Sequence, residues 1–421
     1  MQSSQNAGPA TPDRTPQRPA RPRAFLLQNG LRAASSHFLQ ETEGWIHNLQ
    51  LAGYDPSVHG NVEYAGGPVA GLEIQASFRV APDSLADGPE PVRKLRTFLE
   101  GAAIFTADCR KLEAENPGPG DLVLVPYATS VEIMGLSRWL ERWKQRGPGL
   151  PQVGVLVHRP DYDWSWDRST GVLRGDVAPF AYACFSLSLV CGGQRLALAA
   201  TTPALAQALG QYLEQPFIAG CAPLHYPPLP DQPAEPRWDF AFLGQMRPEK
   251  GSRSLAAIVQ AYLAERPGGR IAIQCDSPGE PGQYLDGHAA IAHDPRIDWL
   301  MGPQDGATFQ NTLQQAACIL IPSEPSRYQL RISGVFSEAL GGGRPVVVAG
   351  PSWMTDMLQA GHGAGVAVRH GTPENFARAL LMIGQSLPEF QQRARERSVR
   401  WRNEQSLERL IAIIEARVAA G

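Results

Sequence analysis

The sequence predicts an α/β protein made of two doubly wound halves, each a parallel sheet covered by helices, and three observations lead there. At 421 residues the chain exceeds one ordinary hydrophobic core, so length favours two domains of roughly 200 residues each. Short apolar runs alternate with amphipathic segments in both halves, the pattern of strands joined by crossover helices. Between the two series lies APLHYPPLPDQPAEPR (222–237), with six prolines and no apolar periodicity, the composition of an interdomain connection. The linker is placed at 226–237, between a first domain at 24–225 and a second at 238–400.

In chain order, residues 1–23 hold five prolines and four arginines against one aspartate, with almost nothing to bury, and are expected to form a disordered tail. AFLLQNG (24–30) reads as a strand closed by Asn-Gly, and Ser36–Ala52 as a helix with Phe38, Trp45 and Leu49 at helical spacing. DLVLVPYATSVEIMGLSRWLERW (121–143) repeats the unit, with a strand at Leu122–Val125, a polar turn at Thr129–Ser130 and a helix. PQVGVLVHRPDYD (151–163) and Leu196–Ala200 supply further strands. Thr202 is a cap for the helix that reaches Leu213, and Pro203 suits its first position because the missing amide is harmless there.

The second half restarts the alternation. Strands are expected at Asp239–Leu243, Arg270–Cys275, Cys318–Pro322 and 345–349, with helices at Ser252–Glu265, 307–316 and 333–340. A last helix, 401–421, carries Leu407, Leu410, Ile411, Ile414 and Val418 on one face.

Composition excludes several classes of function. The 38 basic and 41 acidic residues nearly balance, so no global field points to nucleic acid or to an anionic membrane. No basic amphipathic stretch indicates more than peripheral membrane contact. Six cysteines are scattered without a Cys-x-x-Cys pair, which indicates neither zinc nor a disulfide framework. No run reaches the length of a spanning helix, and the first 23 residues lack a signal-peptide core. The expected setting is the cytoplasm.

Two segments carry chemistry. In RISGVFSEALGGGRPVVV (331–348), Ser333 and Gly334 open a helix whose free amides can face an anion, and Glu338 lies one turn in. Apolar neighbours make an unpaired charge at Glu338 costly, so a ligand or a cation is its expected partner, with Arg344 the nearest candidate. Gly341–Gly343 lacks the P-loop pattern and is read as a helix stop. HGAGV (362–366) is a candidate further loop of the cleft. In AFLGQMRPEKG (241–251), a strand ends at Gly244, where the backbone permits close approach, and Arg247 and Lys250 follow as cations able to neutralise a diphosphate.

Taken in this order, the two segments resemble the donor site of retaining GT-B glycosyltransferases of the family-4 type, the likeness being specific over about 110 residues (240–350). The resemblance implies two Rossmann-like domains facing each other across a cleft, with the last helix crossing back to the first domain. It implies transfer of a hexosyl unit from a nucleoside diphosphate sugar to a glycan, lipid-linked or protein acceptor, without metal or other cofactor. Glu338 would hold the donor ribose, and the amides of Gly334 and Val335 would meet the diphosphate. Lys250 and Arg247 would stabilise the leaving diphosphate, Arg247 replacing the family's arginine, whose place is held by Gln245. The family usually has two glutamates separated by seven residues, and the first falls here on Leu330. Some bacterial members instead resemble Tyr-x-x-Arg-x-Ser-Gly followed by Glu-Ala, matched by Tyr328, Arg331, Ser333, Gly334 and Glu338. On this pattern Arg331 contacts a phosphate or sugar oxygen, and Glu324 supplies the missing carboxylate.

In the first half, His158 ends a strand at the carboxyl edge where open α/β sheets place ligands, as a histidine does in many GT-B enzymes. Thr129 and Ser130 are similar candidates. Asp161 and Asp163 form an Asp-x-Asp, the Mg- or Mn-binding signature of the other major glycosyltransferase fold, an alternative that leaves the second-half motifs unexplained. Trp45, Trp139, Trp143, Trp164 and Trp166 are candidate sugar-stacking faces. Two rival functions remain open: a nucleotide-sugar-binding scaffold whose catalysis has decayed, and a different enzyme on the same architecture, such as an epimerase or phosphorylase.

Overall fold

The computed structural model describes residues 21–32, 37–79, 90–158, 164–167, 170–221, 224, 226–230, 235–275 and 279–419. In its first half the strands are β1 (Arg23–Gln28), β2 (Asp55–Asn61), β3 (Ile74–Phe78), β4 (Leu122–Val125), β5 (Gln152–Val157), β6 (Ser165–Asp167), β7 (Val172–Arg174), β8 (Leu196–Ala200) and β9 (Ile218–Ala219). They are interleaved with helices α1 (His37–Leu51), α2 (Glu90–Cys109), α3 (Ser130–Arg146), α4 (Ala178–Cys191) and α5 (Pro203–Leu213). Seven of these strands form one parallel sheet in the order β3-β2-β1-β4-β5-β8-β9, while β6 and β7 make a separate antiparallel hairpin.

The second half contributes β10 (Phe240–Phe242), β11 (Ile271–Cys275), β12 (Ile297–Met301), β13 (Ile319–Ile321), β14 (Val346–Ala349) and β15 (Gly365–Val368), a parallel sheet in the order β12-β11-β10-β13-β14-β15. Its helices are α6 (Ser252–Glu265), α7 (Glu280–Tyr284), α8 (Gly306–Gln315), α9 (Gly334–Gly341), α10 (Trp353–Gln359), α11 (Pro373–Gln385) and α12 (Leu387–Glu404), followed by α13 (Leu407–Ala419).

Both sheets are apolar on both faces because helices cover both. Phe25, Leu27, Val123, Val125 and Val153 pack on one side of the first sheet, and Ala24, Leu26, Leu122, Leu124 and Leu156 on the other. In the second sheet Phe240, Phe242, Ile271 and Ile273 face away from Ala241, Ala272, Ile319 and Ile321. The stripe Leu407, Leu410, Ile411, Ile414 and Val418 is buried against the first sheet, so α13 lies on the half opposite the one its chain has just left. Gly154 makes room for it, since a Cβ there would stand 3.3 Å from Ile414 Cγ2.

Several elements depart from expectation. Arg23 opens β1 instead of ending a tail, because its guanidinium and backbone amide both bond the Asp121 carboxylate. The last helix begins at Leu407, and residues 401–404 belong to α12, with Trp401 buried in the second core. HGAGV is no cleft loop: His362 lies against Trp401 and near Glu404, and Gly365 starts edge strand β15. β2 (DPSVHGN) escapes an apolar-run reading because Asp55, Ser57, His59 and Asn61 interrupt it. The buried His59 and Asn61 bond other segments, His59 Nδ1 to Ser77 Oγ at 2.9 Å and Asn61 Nδ2 to the Asn29 carbonyl at 3.1 Å, while Ser57 Oγ has no hydrogen-bond partner among the described residues. The tail residues 1–20 and the Asp161 and Asp163 pair lie outside the described residues.

Candidate functional site

The two sheets turn their carboxyl edges toward each other, and between them lies a cavity of about 930 Å³, at the upper end of the range for small-molecule sites. Its second-domain wall is built from the segments that follow β10 and β13. β10 gives way to Gly244, whose amide donates to Gln274 Oε1 at 2.7 Å and whose φ of +90° suits glycine. A Cβ at Gly244 would stand 3.3 Å from Lys250 Nζ and 3.3 Å from Val335 Cγ2. Two stretches of sequence roughly 90 residues apart therefore meet above one glycine, which leaves the space beside the lysine ammonium open to a ligand.

Local geometry explains why Lys250 stands there. Pro248–Lys250 is a single 3₁₀ turn closed by Gly251 at φ +85°. A Cβ on Gly251 would collide with the Pro322 carbonyl at the end of β13, so glycine lets the turn press against that strand. The Glu324 amide donates to the Glu249 carbonyl at 2.9 Å and fastens the same turn to the next segment. Arg247 lines the cavity with a half-exposed guanidinium, 3.9 Å from the Glu249 carboxylate.

Helix α9 completes the wall. Ser333 caps it, its hydroxyl accepting from the Phe336 amide at 3.4 Å, so the amides of Gly334 and Val335 have no acceptor within the helix and lie at the cavity. Glu338 is 6% exposed, lines the cavity and accepts a hydrogen bond from the Gln310 side chain. Burial pushes its carboxyl up to about 7, opposed by the Gln310 bond and by the charge of Arg402. Arg331 holds its guanidinium 4.3 Å from the centre of the Tyr328 ring, and both residues line the cavity.

The first-domain wall includes His158, 6% exposed at the end of β5, with its ring 4.6 Å from that of Tyr127 and its carbonyl accepting from Thr201 Oγ1. Gly30, Phe38 and Glu41, at and after the end of β1, line the same space.

No protein-family model and no curated protein sequence matches the chain. Solved structures do match. The catalytic domain of starch synthase IV from Arabidopsis thaliana, bound to ADP and acarbose, superposes at a TM-score of 0.64 with 11% identity, covering 95% of this chain and 100% of that one. The fold is GT-B. Sucrose-phosphate synthase from Thermosynechococcus elongatus gives 0.58 at 14% identity, with 94% and 97% covered. Anabaena HepE in complex with UDP gives 0.54 at 11%, with 95% and 100% covered.

Within this GT-B frame some candidate residues lie elsewhere. Glu324 does not line the cavity: its side chain is half exposed and accepts from Ser326 Oγ at 2.6 Å. Arg344 is not the partner of Glu338. Its guanidinium bonds Gln314 Oε1 at 2.6 Å and the Ala316 carbonyl at 3.4 Å, on the far side of the helix stop. Thr129 spends its hydroxyl on capping α3 in a box with Glu132, to which Asn29 also donates at 2.8 Å, and neither Thr129 nor Ser130 lines the cavity. Trp45, Trp139 and Trp143 are core residues, and Trp164 packs edge-on to Phe180. The glycine run ends α9, with Gly343 at φ +64°, and Gly341 lies under the Tyr226 ring.

Leu330, at the place of the first family glutamate, is 3% exposed and packs into the first-domain core, while its carbonyl accepts from Thr202 Oγ1 at 2.6 Å. Glu41 had no motif to reveal it; its only sequence signal is an acidic residue early on an otherwise half-apolar helix. Among the described residues no three His, Cys, Asp or Glu side chains cluster as a metal ion would require, and no helix is long and apolar enough to cross a membrane.

Proposed function

We propose that the protein is a glycosyltransferase that moves a hexosyl unit from a nucleoside diphosphate sugar to a glycan, lipid-linked or protein acceptor, with retention of configuration and without metal. The observation that carries this reading is the meeting of Gly244, Lys250 and the amino end of α9 at one point of the cleft, with Glu338 one turn further in. Fixed cations and helix amides can receive the charge that develops on a departing diphosphate, and Glu338 can accept from ribose hydroxyls. The departing phosphate oxygen can then take the acceptor proton, so the chain need supply only positioning, positive charge and exclusion of water. His158 sits across the cleft, where it can touch the sugar or the acceptor hydroxyl. The GT-B neighbours bound to ADP or UDP agree with a nucleotide in this cleft. We place the protein in the cytoplasm, since its six cysteines are all buried free thiols.

A second reading, a sugar-nucleotide-binding scaffold without turnover, is favoured by Leu330, which stands where the family has a carboxylate and is committed to interdomain packing. Thermal stability in the presence of UDP, GDP, ADP and CDP, each alongside a sugar conjugate, tests the site, with Glu338→Ala as control. One nucleotide should stabilise the wild type by several degrees and leave the variant unmoved. No shift from any of them removes the donor site. Turnover with an acceptor then separates enzyme from scaffold.

A further inference from the structure

The first-domain wall of the cleft holds a carboxyl group that the fold does not use. Glu41, in the second turn of α1, is 4% exposed and lines the cavity, and its Oε2 makes no hydrogen bond among the described residues. Leaving a buried carboxyl oxygen unbonded is costly, and such a group is characteristic of a site completed by a ligand. The other carboxylates lining the cavity are engaged or exposed: Glu338 accepts from Gln310, Asp305 caps α8 by accepting from the Thr308 amide at 2.7 Å, Glu249 faces Arg247, and Glu43 is exposed. The neighbouring Gln40 packs directly on Gly306 of the second domain, so this turn of α1 is held where the two walls close on each other.

On the second-domain wall Gln304 Oε1 and Arg331 Nε are also buried without a hydrogen bond at the cavity, but no second-domain carboxyl among the described residues is left so. Leu330 is turned into the first-domain core and Glu324 lies outside the cavity. We propose that Glu41 recognises a hydroxyl of the transferred sugar from the first-domain side, and so determines donor specificity. This rests on the glycosyltransferase reading given above. Burial raises the Glu41 carboxyl to about 8, so near neutrality it keeps its proton and offers a donor and an acceptor on adjacent oxygens. A sugar hydroxyl matches that pair, being itself donor and acceptor.

The test compares the wild type with Glu41→Gln and Glu41→Leu in the full chain. Binding is measured with the stabilising nucleoside diphosphate, with its sugar conjugate, and with monodeoxy versions of that sugar. The diphosphate should bind all three proteins equally. The sugar conjugate should bind Glu41→Leu about 10- to 100-fold more weakly than wild type, the range for a lost buried hydrogen bond to a sugar. Glu41→Gln should retain part of the affinity, and one deoxy sugar should be penalised by the wild type but not by Glu41→Leu. Unliganded Glu41→Leu should melt no lower than wild type, because an unbonded buried group is removed.

Equal affinity of all three proteins for the conjugate overturns the proposal while leaving the donor site standing. Intact conjugate binding with a lower melting temperature in Glu41→Leu assigns the carboxyl to the fold and overturns it too. If no diphosphate binds the wild type, the glycosyltransferase reading falls and takes this proposal with it.

Discussion

Replacing Glu338 by Gln should stabilise the empty protein at alkaline pH while removing nucleotide binding. The Glu338 carboxyl is held at about 7 against an ordinary 4.5, mainly by burial on α9. Its surroundings are Gln310 from α8, Arg402 from α12 and the buried Tyr226 hydroxyl of the linker. The folded-state value lies above the unfolded one, so the folded protein holds an extra proton between pH 4.5 and 7. Stability is therefore undiminished below about 4.5, falls as pH rises through that interval, and carries the full penalty above about 7. At 1.36 kcal/mol per pH unit the penalty is about 3 kcal/mol, an order-of-magnitude figure. The amide of Glu338→Gln keeps an oxygen for the Gln310 donor and carries no charge. At pH 8 the variant should melt several degrees above wild type, since about 1 kcal/mol moves the midpoint of a domain of this size by roughly 2–4 °C. At pH 4.5 the two melting curves should coincide. Differential scanning calorimetry at both pH values, with and without the stabilising nucleotide, measures this. A variant less stable than wild type at pH 8, or one that still responds fully to nucleotide, would refute the assignment of Glu338 as a buried, ligand-seeking carboxylate.

Other consequences follow from the same geometry. Lys250→Met, which removes the ammonium beside Gly244, should lower single-turnover transfer by about 10²–10³-fold, the usual scale for one transition-state charge contact, with melting temperature little changed. Gly251→Ala should destabilise the second domain by about 1–3 kcal/mol, from the strain of φ +85° and the collision with the Pro322 carbonyl, seen as a lower urea midpoint. Leu330→Glu should not restore a sugar contact. It should put an unpaired carboxylate into the first-domain core, lower thermal stability and increase the radius of gyration in X-ray scattering as the halves part; unchanged scattering and stability would show that Leu330 is no interdomain anchor.

Much of this was legible in the sequence, for identifiable reasons. The strand Leu122–Val125, the strand Leu196–Ala200 and the helices Pro203–Leu213 and Ser252–Glu265 appear at the expected residues, because apolar runs, caps and a first-turn proline are local signals. Strand β2 was not legible, since its buried polar residues are satisfied by partners from other elements. Edge strand β12 is interrupted by Asp298, and β15 opens on the last residue of the glycine-rich 362–365 stretch, which reads as a loop. Around the cleft, the cluster of Gly244, Lys250, Ser333, Gly334 and Glu338 followed from motif order. Glu324 and Arg344 point away from the places their sequence positions suggest, because side-chain direction on a turn or after a helix depends on what packs against it.

By itself the sequence determined two doubly wound sheets, the stop at the glycine run, the apolar stripe of the last helix and the residue types able to hold a diphosphate, all properties of short segments with a fixed period. Only the tertiary structure decided which of those groups share one space. It sent Leu330 into the opposite domain, gave Glu338 to Gln310 and left Glu41 without a bond, because burial and pairing are set by segments that are distant along the chain and adjacent only after the two halves close.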